Sequence, residues 1–258
     1  MDRITHNDLM YYRFSSMPHL THGIFTRLGG ASAAPFGPLN LGGNSGDDPQ
    51  AVEENYTRIY TALHVNGDRA CSVWQVHSAD TVIVTNPIPG RRWVAKADGM
   101  VTDRPDTPLV MRFADCTPVL LHDPVKQVIG IAHAGWRGTV KGAGTSTLQT
   151  MVDAFGCDVR DIRAGIGPAI GPDCYQVGEE VVEAVAAHFG TTDGLIQRHT
   201  GDGTAYLNLW EANARDLRRH GVQHVEIAGI CTATNTHEFH SHRAEKGKTG
   251  RFAAVMSL

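Results

Sequence analysis

Two histidines and one cysteine, widely separated in the chain, offer the side chains that bind zinc. His77 stands in "WQVHSAD", Cys116 in "RFADCTPVLL" and His133 in "GIAHAGWRG", each at or just beyond the end of a strand-like run. Side chains at strand ends lie at the rim of a sheet, where a rigid element holds them within reach of a ligand. Two imidazoles and one thiolate leave the fourth position of a tetrahedral zinc ion open for water or substrate. These residue types therefore indicate a catalytic metal site, although their wide spacing matches no local metal-binding motif.

The same three residues also suit two other interpretations. Cys116 could act as a nucleophile, with His133 or His77 as its general base. A lone cysteine between Asp115 and Thr117 could equally be a packed residue without a chemical role. A nucleophilic cysteine and a metal-binding cysteine both need a deprotonated sulfur, so the residues alone do not separate these two chemistries.

Short runs rich in β-branched residues surround these side chains and predict the strands that position them. The runs cover residues 71–76, 80–85, 108–113, 117–123, 127–134, 161–167, 224–230 and 251–256. Three of them follow one another from Leu109 to Ala132 with very short connections. That order favours hairpin or meander pairing, because parallel crossovers need a dozen or more residues.

Capping residues and apolar periodicity indicate four helices. Asp48 and Pro49 form a helix start, after which apolar side chains share one face. A second helix is expected over residues 140–155, with Gly156 directly after its end. The other two cover residues 178–190 and 208–221, and the last begins with a sequence that resembles a capping box. Residues 135–138, between His133 and the second helix, are expected to form a flexible rim beside the site.

The order of these elements predicts the α+β class. Strands cluster between helices rather than alternating with them, which favours mixed or antiparallel sheets packed centrally with helices outside. The chain has 258 residues, 41% of them hydrophobic, and shows no repeat, low-complexity tract or linker. Residues 1–258 are therefore expected to form a single compact domain, near the upper size limit for one core.

Composition excludes several classes of protein. The chain has 23 Lys and Arg against 27 Asp and Glu, a net charge of −4, which gives no electrostatic footprint for nucleic acid or for an anionic membrane. No apolar run is long enough to cross a bilayer, and the polar N-terminal segment lacks the apolar core of a signal peptide. The five cysteines are widely spaced, without a CxxC pair, which favours a reduced, cytoplasmic protein. No obligate protein partner is evident.

A series of motifs in fixed order resembles a known family. The chain contains "LTHGIFTRLGGAS", "NLGGNSGDDPQAVEENYTRI", "WQVHSADTV", "ADGMVTD", "ADCTPVLLHDP", "IGIAHAGWRGTVKG", "GIGPAIGPDCYQVGEEV", "LNLWEANARDLRRHGV" and "KTGRFAAV". From about His19 to the C-terminus it resembles the bacterial YfiH/YlmD family, long labelled "laccase domain" or "multicopper polyphenol oxidase" and related to human FAMIN. The successive "QVH", "ADC" and "HAGWRG" are the most specific of these motifs.

The resemblance implies a fold, a metal site and an activity. It implies a YfiH-like α+β domain with zinc bound by His77, Cys116 and His133. It implies phosphorolysis of adenosine, inosine, guanosine and methylthioadenosine, together with deamination of adenosine. In deamination, water activated by zinc would attack the adenine ring. In phosphorolysis, phosphate attacks the anomeric carbon of the ribose while the purine leaves, so purine nucleosides and phosphate are the expected ligands.

Several residues near the motifs are candidates for substrate contacts. Arg27 in "FTRLGG" resembles a family arginine motif and is expected to bind phosphate or substrate. Arg137 lies among glycines, which allow backbone N–H groups to approach an anion, and Trp136 could stack on a purine or belong to the core. The remaining candidates, for base contacts or for supporting the metal ligands, are Gln75, Ser78, Asp98 and Asp115.

Two segments depart from the family pattern. Many relatives have a histidine where this chain has Asn44, which can donate and accept hydrogen bonds but cannot act as a general acid. If that histidine transfers protons, rate or substrate choice differs here. The segment "THEFHSHRAEKGKTGR" contains His237, His240 and His242, and we interpret it as a polar loop rather than a second metal cluster. His240 or Arg243 is expected to border the substrate pocket.

A copper-dependent polyphenol oxidase is the alternative that the old family label suggests. Laccase copper clusters need many histidines in HxH and HCH arrangements, whereas the only HxH here is His240–His242. A mononuclear copper centre would need an axial ligand such as methionine, and none is evident near the candidate ligands. A Cys–His hydrolase remains the other enzymatic alternative. Some members are assigned a role in cell-wall precursor assembly, and the residues of this chain neither support nor contradict that role.

Overall fold

The computed structural model describes residues 1–88 and 93–258. The helices are α1 (Pro49–Leu63), α2 (Trp136–Val140), α3 (Ala143–Phe155), α4 (Glu179–Phe189) and α5 (Leu209–Arg219), with a 3₁₀ turn at Gly67–Arg69. The strands are β1 (Asp2–His6), β2 (Leu9–Arg13), β3 (Thr21–Phe25), β4 (Ser72–Trp74), β5 (Thr81–Ile83), β6 (Trp93–Lys96), β7 (Gly99–Thr102), β8 (Leu109–Phe113), β9 (Thr117–Asp123), β10 (Val128–Ala134), β11 (Arg163–Ile166), β12 (Gln176–Val177), β13 (Ile196–Arg198), β14 (Ala205–Leu207), β15 (His224–Ile227) and β16 (Phe252–Ser257).

Two large sheets organise the described part of the chain. One has the order β1-β2-β3-β16-β8 and is antiparallel throughout. The other has the order β15-β11-β9-β10-β7-β5 and is mixed, with parallel pairs at β11/β15 and β5/β7. Two small sheets, β12-β14-β13 and β4-β6, lie outside them.

Side chains alternate along the strands, so each large sheet packs against the other sheet with one face and against helices with its other face. In β8, Leu109 and Met111 enter the core that the sheets share, whereas Val110 packs with residues of α1. In β9, Leu120 enters the same shared core, whereas Val119 packs with residues of α3 and α5. The layers are therefore α1, the antiparallel sheet, the mixed sheet, and α3 with α5. The predicted α+β class, with sheets at the centre and helices outside, is confirmed.

Most of the predicted helix boundaries are confirmed. The Asp48 side chain accepts a hydrogen bond from the Gln50 N–H at the start of α1. The Asn208 side chain accepts one from the Glu211 N–H at the start of α5. Gly156 and Gly190 end α3 and α4 in the left-handed conformation, which glycine adopts without steric cost.

The prediction of one continuous helix over residues 140–155, preceded by a flexible rim, is wrong at its N-terminal end. Residues 136–140 form the short helix α2, which begins directly after Gly135. Gly142 then adopts a φ of 77°, a conformation that interrupts the helical path, and α3 starts at the next residue. The segment after His133 is therefore an ordered helical turn rather than a flexible rim.

The predicted pairing of the three strands from Leu109 to Ala132 is only half right. β9 and β10 form the expected antiparallel hairpin, but β8 pairs with β16 in the other sheet. The chain crosses from one sheet to the other through residues 114–116, where Asp115 has a φ of 83°. This crossing places Cys116 at the junction of the two sheets, directly before β9.

The N-terminal strands β1 to β3, the strands β6 and β7, and the very short strands β12 to β14 lie outside the predicted runs. Each of the predicted runs overlaps an observed strand, although most of these strands are shorter than the run. No helix in the described ranges has both the length and the apolar character needed to cross a bilayer. The five cysteines are all free thiols.

Candidate metal centre

The ends of three strands bring the predicted ligands together. His77 follows β4, Cys116 immediately precedes β9, and His133 lies near the end of β10, which pairs with β9. One ligand atom from each residue lies within 4.8 Å of the other two. Among the residues that the structure describes, this is the one group of histidine, cysteine or carboxylate side chains that could hold a metal ion.

Asp98 fixes the orientation of the His133 ring. It lies directly before β7, and its Oδ1 accepts a hydrogen bond of 2.8 Å from His133 Nδ1. The Asp98 carbonyl also accepts a hydrogen bond of 2.8 Å from the backbone N–H of His133. With Nδ1–H donating to the carboxylate, the lone pair of Nε2 is left for a metal ion or a proton.

The second oxygen of Asp98 holds the segment that carries His77. Asp98 Oδ2 accepts hydrogen bonds from the backbone N–H groups of Val76 and Ser78, at 3.0 and 2.7 Å, and from Ser78 Oγ at 3.1 Å. His77, between these two residues, has a φ of 59°, a left-handed conformation that is uncommon for non-glycine residues. One buried carboxylate therefore organises both imidazoles.

The charges of the site favour an ionised sulfur. Burial alone would raise the pKa of the Cys116 thiol, but the positive charge of His133 and hydrogen bonds from both histidines lower it well below its ordinary value. Burial alone would lower the pKa of His133, but the Cys116 thiolate and Asp98 raise it. Burial likewise opposes ionisation of Asp98, yet the His133 and backbone hydrogen bonds lower its pKa to about 2. A thiolate is the form that binds metals and that attacks electrophiles.

Gly135 leaves the space that the ligands need. A Cβ atom at this position would lie 2.8 Å from Cys116 Sγ and 3.4 Å from His77 Cδ2, so any side chain would press on both. The donor set of two nitrogens and one sulfur, its close convergence and the oriented His133 ring all fit a zinc ion. The same set would also bind copper, so these contacts favour a metal without fixing which one.

A cavity of about 770 Å³ opens over the three ligands. Its walls include the side chains of Trp74, Trp93 and Tyr175, and the two indoles pack edge to face with their centroids 4.2 Å apart. Ligand cavities of this size, with apolar walls and a few converging polar groups, are typical of small-molecule sites.

Three arginines also line this cavity: Arg112, Arg243 and Arg251. The sequence interpretation expected Arg243 at the pocket but gave no role to the other two. Arg112 is the single charged residue within the apolar strand β8, and Arg251 directly precedes β16. An arginine within or beside an apolar strand is unusual, and this signal could have marked both as candidate ligand-binding residues.

Three of the predicted substrate contacts, Asn44, Gln75 and Asp115, also line the cavity. Asn44 is exposed in the loop that precedes α1. Gln75 Nε2 donates to the Arg112 carbonyl at 2.7 Å and Gln75 Oε1 accepts from the Arg112 N–H at 3.1 Å, so this side chain links β4 to β8. Asp115 Oδ1 accepts from Thr232 Oγ1 at 2.7 Å, which attaches the sheet crossing to a neighbouring loop.

The structure does not bring Arg27, Trp136 and Arg137 to the cavity wall. The Arg27 guanidinium is engaged inside the protein, where it forms an ion pair of 2.9 Å with Glu245. Trp136 packs beside the core formed by α4 and its neighbours, and the exposed Arg137 lies over its ring, 4.3 Å from the centroid. A core role for the indole, one of the two predicted alternatives, matches this packing.

The histidines of the C-terminal loop do not form a second metal cluster in the described structure. His240 is fully buried, with Nδ1 3.1 Å from Thr249 Oγ1 and Nε2 3.2 Å from the Leu39 carbonyl oxygen. His237 is exposed, and His242 lies on the cavity wall. The expectation of a polar loop therefore agrees with the structure, and Arg243, rather than His240, borders the pocket.

Comparison with known proteins identifies relatives over almost the whole chain. Residues 21–258 match the family described as "Multi-copper polyphenol oxidoreductase laccase". A "Purine nucleoside phosphorylase" of Deinococcus radiodurans is 38% identical over 237 residues, which cover 92% of this chain and 88% of that protein. The crystal structure of YlmD from Geobacillus stearothermophilus has a TM-score of 0.93 at 33% identity and covers 98% of this chain and 97% of its own. That of the hypothetical protein YfiH from Bacillus licheniformis has a TM-score of 0.92 at 32% identity and covers 99% and 98%.

Proposed function

The chain belongs to the YfiH/YlmD family, whose family model carries the multi-copper polyphenol oxidoreductase laccase description, and on that premise we propose that it is a zinc-dependent purine nucleoside phosphorylase. The name of the Deinococcus radiodurans relative supplies the activity. The observation that carries the proposal is a single cavity that contains the His77–Cys116–His133 group, three arginines and an aromatic wall.

The arginines supply what the phosphate dianion requires. Nη2 of Arg112 donates to the Val73 carbonyl, and Nη1 of Arg243 donates to the Gln176 carbonyl. Nη1 of Arg251 donates to two backbone carbonyls of its own loop. Within the described residues, each guanidinium keeps donors without a protein partner, and such donors match the oxygens of a phosphate.

The rest of the wall suits the nucleoside. Aromatic side chains such as Tyr175 and Trp74 can stack on a purine base. Asn44 can donate or accept a hydrogen bond at the rim. When phosphate attacks the anomeric carbon, the bond between that carbon and the purine nitrogen breaks, and the purine leaves with the electron pair. The base then needs a proton or a strong hydrogen bond, which Asn44 can provide only as a donor and not as an acid.

His77, Cys116 and His133 would hold the zinc ion, with Asp98 orienting His133. When bound, zinc supplies Lewis acidity, which stabilises negative charge on a substrate and lowers the pKa of water. Two features favour zinc over the copper of the family description. Among the described residues, one group of side chains could hold a metal, whereas a multi-copper oxidase needs several, and none of the described methionines lines the cavity.

Deamination of adenosine is the second activity that we propose for the same cavity. It rests on the family resemblance and on the capacity of a zinc site to activate water. Adenosine should release ammonia without added phosphate, and Cys116→Ser should abolish this release. Ammonia release by a variant that has lost its zinc would contradict the assignment to this site.

One observation favours a Cys–His hydrolase as the alternative. The Asp98 carboxylate orients the His133 imidazole, and this imidazole in turn contacts the Cys116 sulfur. This is the arrangement of acid, base and nucleophile in cysteine hydrolases. If Cys116→Ser loses activity but keeps a full complement of metal, Cys116 is a nucleophile and not a ligand.

The test of the leading proposal is the conversion of inosine with and without inorganic phosphate. We expect hypoxanthine and ribose 1-phosphate to appear in equal amounts, and only when phosphate is present. Protein purified without added metal should contain about one zinc per chain, as expected for a three-ligand catalytic site. Hypoxanthine release that does not depend on phosphate would rule out phosphorolysis. Bound copper with strong visible absorbance would support the oxidase instead.

The free cysteines support a location in a reducing compartment. None of the five is disulfide-bonded, and four of them have no place in the proposed metal site. Structural cysteines remain reduced in the cytoplasm, so we place the proposed enzyme there.

A further inference from the structure

The loop formed by residues 241–251, the arginine loop, carries two of the three cavity arginines. Arg243 lies near its start and Arg251 at its end. The loop contains no helix or strand, so contacts other than regular secondary structure must fix its path.

Arg27 reaches this region from the end of β3. Its Nε and Nη2 donate to the Gly37 carbonyl at 3.3 and 3.2 Å, and its Nη1 donates to the Thr236 carbonyl at 2.8 Å. Nη1 also donates to Glu245 Oε1 at 2.9 Å, and the Arg27 side chain is only 13% exposed. The guanidinium thus connects three separate segments of the chain and has little access to a ligand.

Glu245, the ion-pair partner of Arg27, also forms hydrogen bonds with both halves of the arginine loop. Its Oε2 accepts a hydrogen bond of 3.0 Å from the Ser241 N–H and one of 2.6 Å from Thr249 Oγ1. Burial alone would raise the pKa of Glu245, but these hydrogen bonds and the charge of Arg27 lower it. The carboxylate therefore stays ionised and ties the start of the loop to its end.

The backbones of the two cavity arginines are held separately. The Arg243 N–H donates to Asp115 Oδ2 at 2.7 Å, and the Arg251 N–H donates to Asn40 Oδ1 at 2.8 Å. Glu245 lies between these two attachments in the sequence, and Arg27 is its partner in an ion pair. Without that ion pair, the residues around Glu245 would keep only hydrogen bonds within the loop, and the nearest remaining attachment in the middle of the loop would be that of Thr249 Oγ1 to His240 Nδ1.

We infer that Arg27 is a positioning residue, which acts through Glu245 to fix the arginine loop so that Arg243 and Arg251 face the phosphate in the cavity. The identity of the bound anion rests on the proposed function. The conformational order of the loop does not depend on that function, and it can be measured without any substrate.

Limited trypsin digestion measures this order directly, because Arg243, Lys246 and Lys248 are exposed cleavage sites within the loop. Proteolysis follows the population of the open form, so Arg27→Gln should raise the cleavage rate at these sites about tenfold. Glu245→Gln should have the same effect. Arg3→Gln is the matched control, since it removes an exposed ion pair with Glu238 outside the loop. It should leave the rate unchanged.

Kinetics then separate positioning from a purely structural role. In both variants the KM for phosphate should rise about tenfold, with kcat changed much less and with zinc content unchanged, because binding rather than the metal centre is altered. The double variant should be no worse than either single variant, since both remove the same ion pair. Arg27→Lys, which keeps a charge opposite Glu245, should recover part of the loss.

The outcomes distinguish this inference from the proposed function. Unchanged cleavage and unchanged phosphate KM in Arg27→Gln would overturn the positioning role. Additive losses in the double variant would also overturn it, because Arg27 would then act independently of Glu245. Faster cleavage in the variants, combined with no phosphorolysis by the wild-type protein, would support loop positioning while rejecting phosphate as the anion.

Discussion

At the scale of single residues, the two carboxylate oxygens of Asp98 support different metal ligands. Oδ1 orients His133, and Oδ2 accepts hydrogen bonds from the backbone on both sides of His77. In Asp98→Asn the amide can still accept from His133, but its NH₂ group would face the N–H groups of Val76 and Ser78. We expect zinc affinity to fall about 10- to 100-fold, as for other residues that support metal ligands.

A competition titration with a chromogenic chelator would measure this loss. Asp80→Asn is the matched control, because Asp80 is exposed and lies near the same segment. Equal zinc affinity for Asp98→Asn and the wild-type protein would show that Asp98 does not support the ligands.

The ionisation of Cys116 gives a second prediction at this scale. In metal-free protein, His133 and His77 lower the pKa of the thiol despite its burial. Alkylation by iodoacetamide should therefore reach half its maximal rate at least about one pH unit below the value near 8.5 of an ordinary cysteine. Mass spectrometry of the Cys116 peptide across pH 5 to 9 would measure the midpoint. In Asp98→Asn the midpoint should move upward, because His133 loses the carboxylate that supports its positive charge. A midpoint at the ordinary value would contradict the proposed electrostatics.

At the scale of elements, the crossing between the two sheets decides where Cys116 lies. Asp115 adopts a φ of 83° there and accepts hydrogen bonds from Thr232 and from the Arg243 N–H. Asparagine tolerates positive φ and can still accept one of these bonds, whereas alanine can do neither well. Asp115→Ala should therefore lower the free energy of unfolding by about 2–4 kcal/mol, from backbone strain and lost hydrogen bonds. Asp115→Asn should lower it by less.

Urea denaturation of the zinc-loaded proteins would measure both values. The two variants share the loss of the carboxylate charge, so the difference between them reports backbone strain together with the one hydrogen bond that asparagine can still accept. Equal losses in the two variants would show that neither the left-handed conformation nor this hydrogen bond affects stability.

The same crossing shows what the sequence could and could not predict. Caps such as Asp48 and Gly190 act locally, and the nearly continuous apolar runs of β9 and β10 reflect burial on both faces, so these features could be predicted from neighbouring residues. The pairing of β8 with β16 joins distant parts of the chain, and short connections had favoured β9 instead. The break at Gly142 was equally hidden, because glycine permits a left-handed turn without requiring one.

At the scale of the whole molecule, the site was only partly predictable for the same reason. His77, Cys116 and His133 could be selected by residue type, since few side chains bind zinc. Arg112 comes from β8, whereas Arg243 and Arg251 come from the loop that leads into β16, so their convergence depends on the pairing of β8 with β16 and on the path of that loop. Arg27 carries a distinctive motif, but only the fold reveals that its partner is Glu245 rather than a ligand.

Two fully buried histidines, His22 and His240, make the free energy of unfolding sensitive to acid. His22 is fully buried, with the Phe14 N–H donating to its Nε2 and its Nδ1–H donating to the Leu20 carbonyl, a pattern that only the neutral ring satisfies. Burial lowers the pKa of His22 to about 4 and that of His240 to about 3. Below pH 6.5 the unfolded chain therefore binds protons that the folded protein does not, and stability falls as the pH drops toward 4. The expected slope is about 1.4 kcal/mol per pH unit for each histidine.

Urea denaturation at pH 7, 6 and 5 would measure this dependence in the zinc-loaded protein. His22→Gln should be less stable than the wild-type protein at pH 7, because the buried packing is altered, yet its stability should fall less steeply toward pH 5. The difference in slope should grow as the pH falls and should approach about 1.4 kcal/mol per pH unit near pH 5, the limit for one neutral buried histidine, while the metal ligands contribute equally to both proteins. His237→Gln, at an exposed position, should keep the wild-type slope. An unchanged slope in His22→Gln would show that His22 accepts a proton in the folded state.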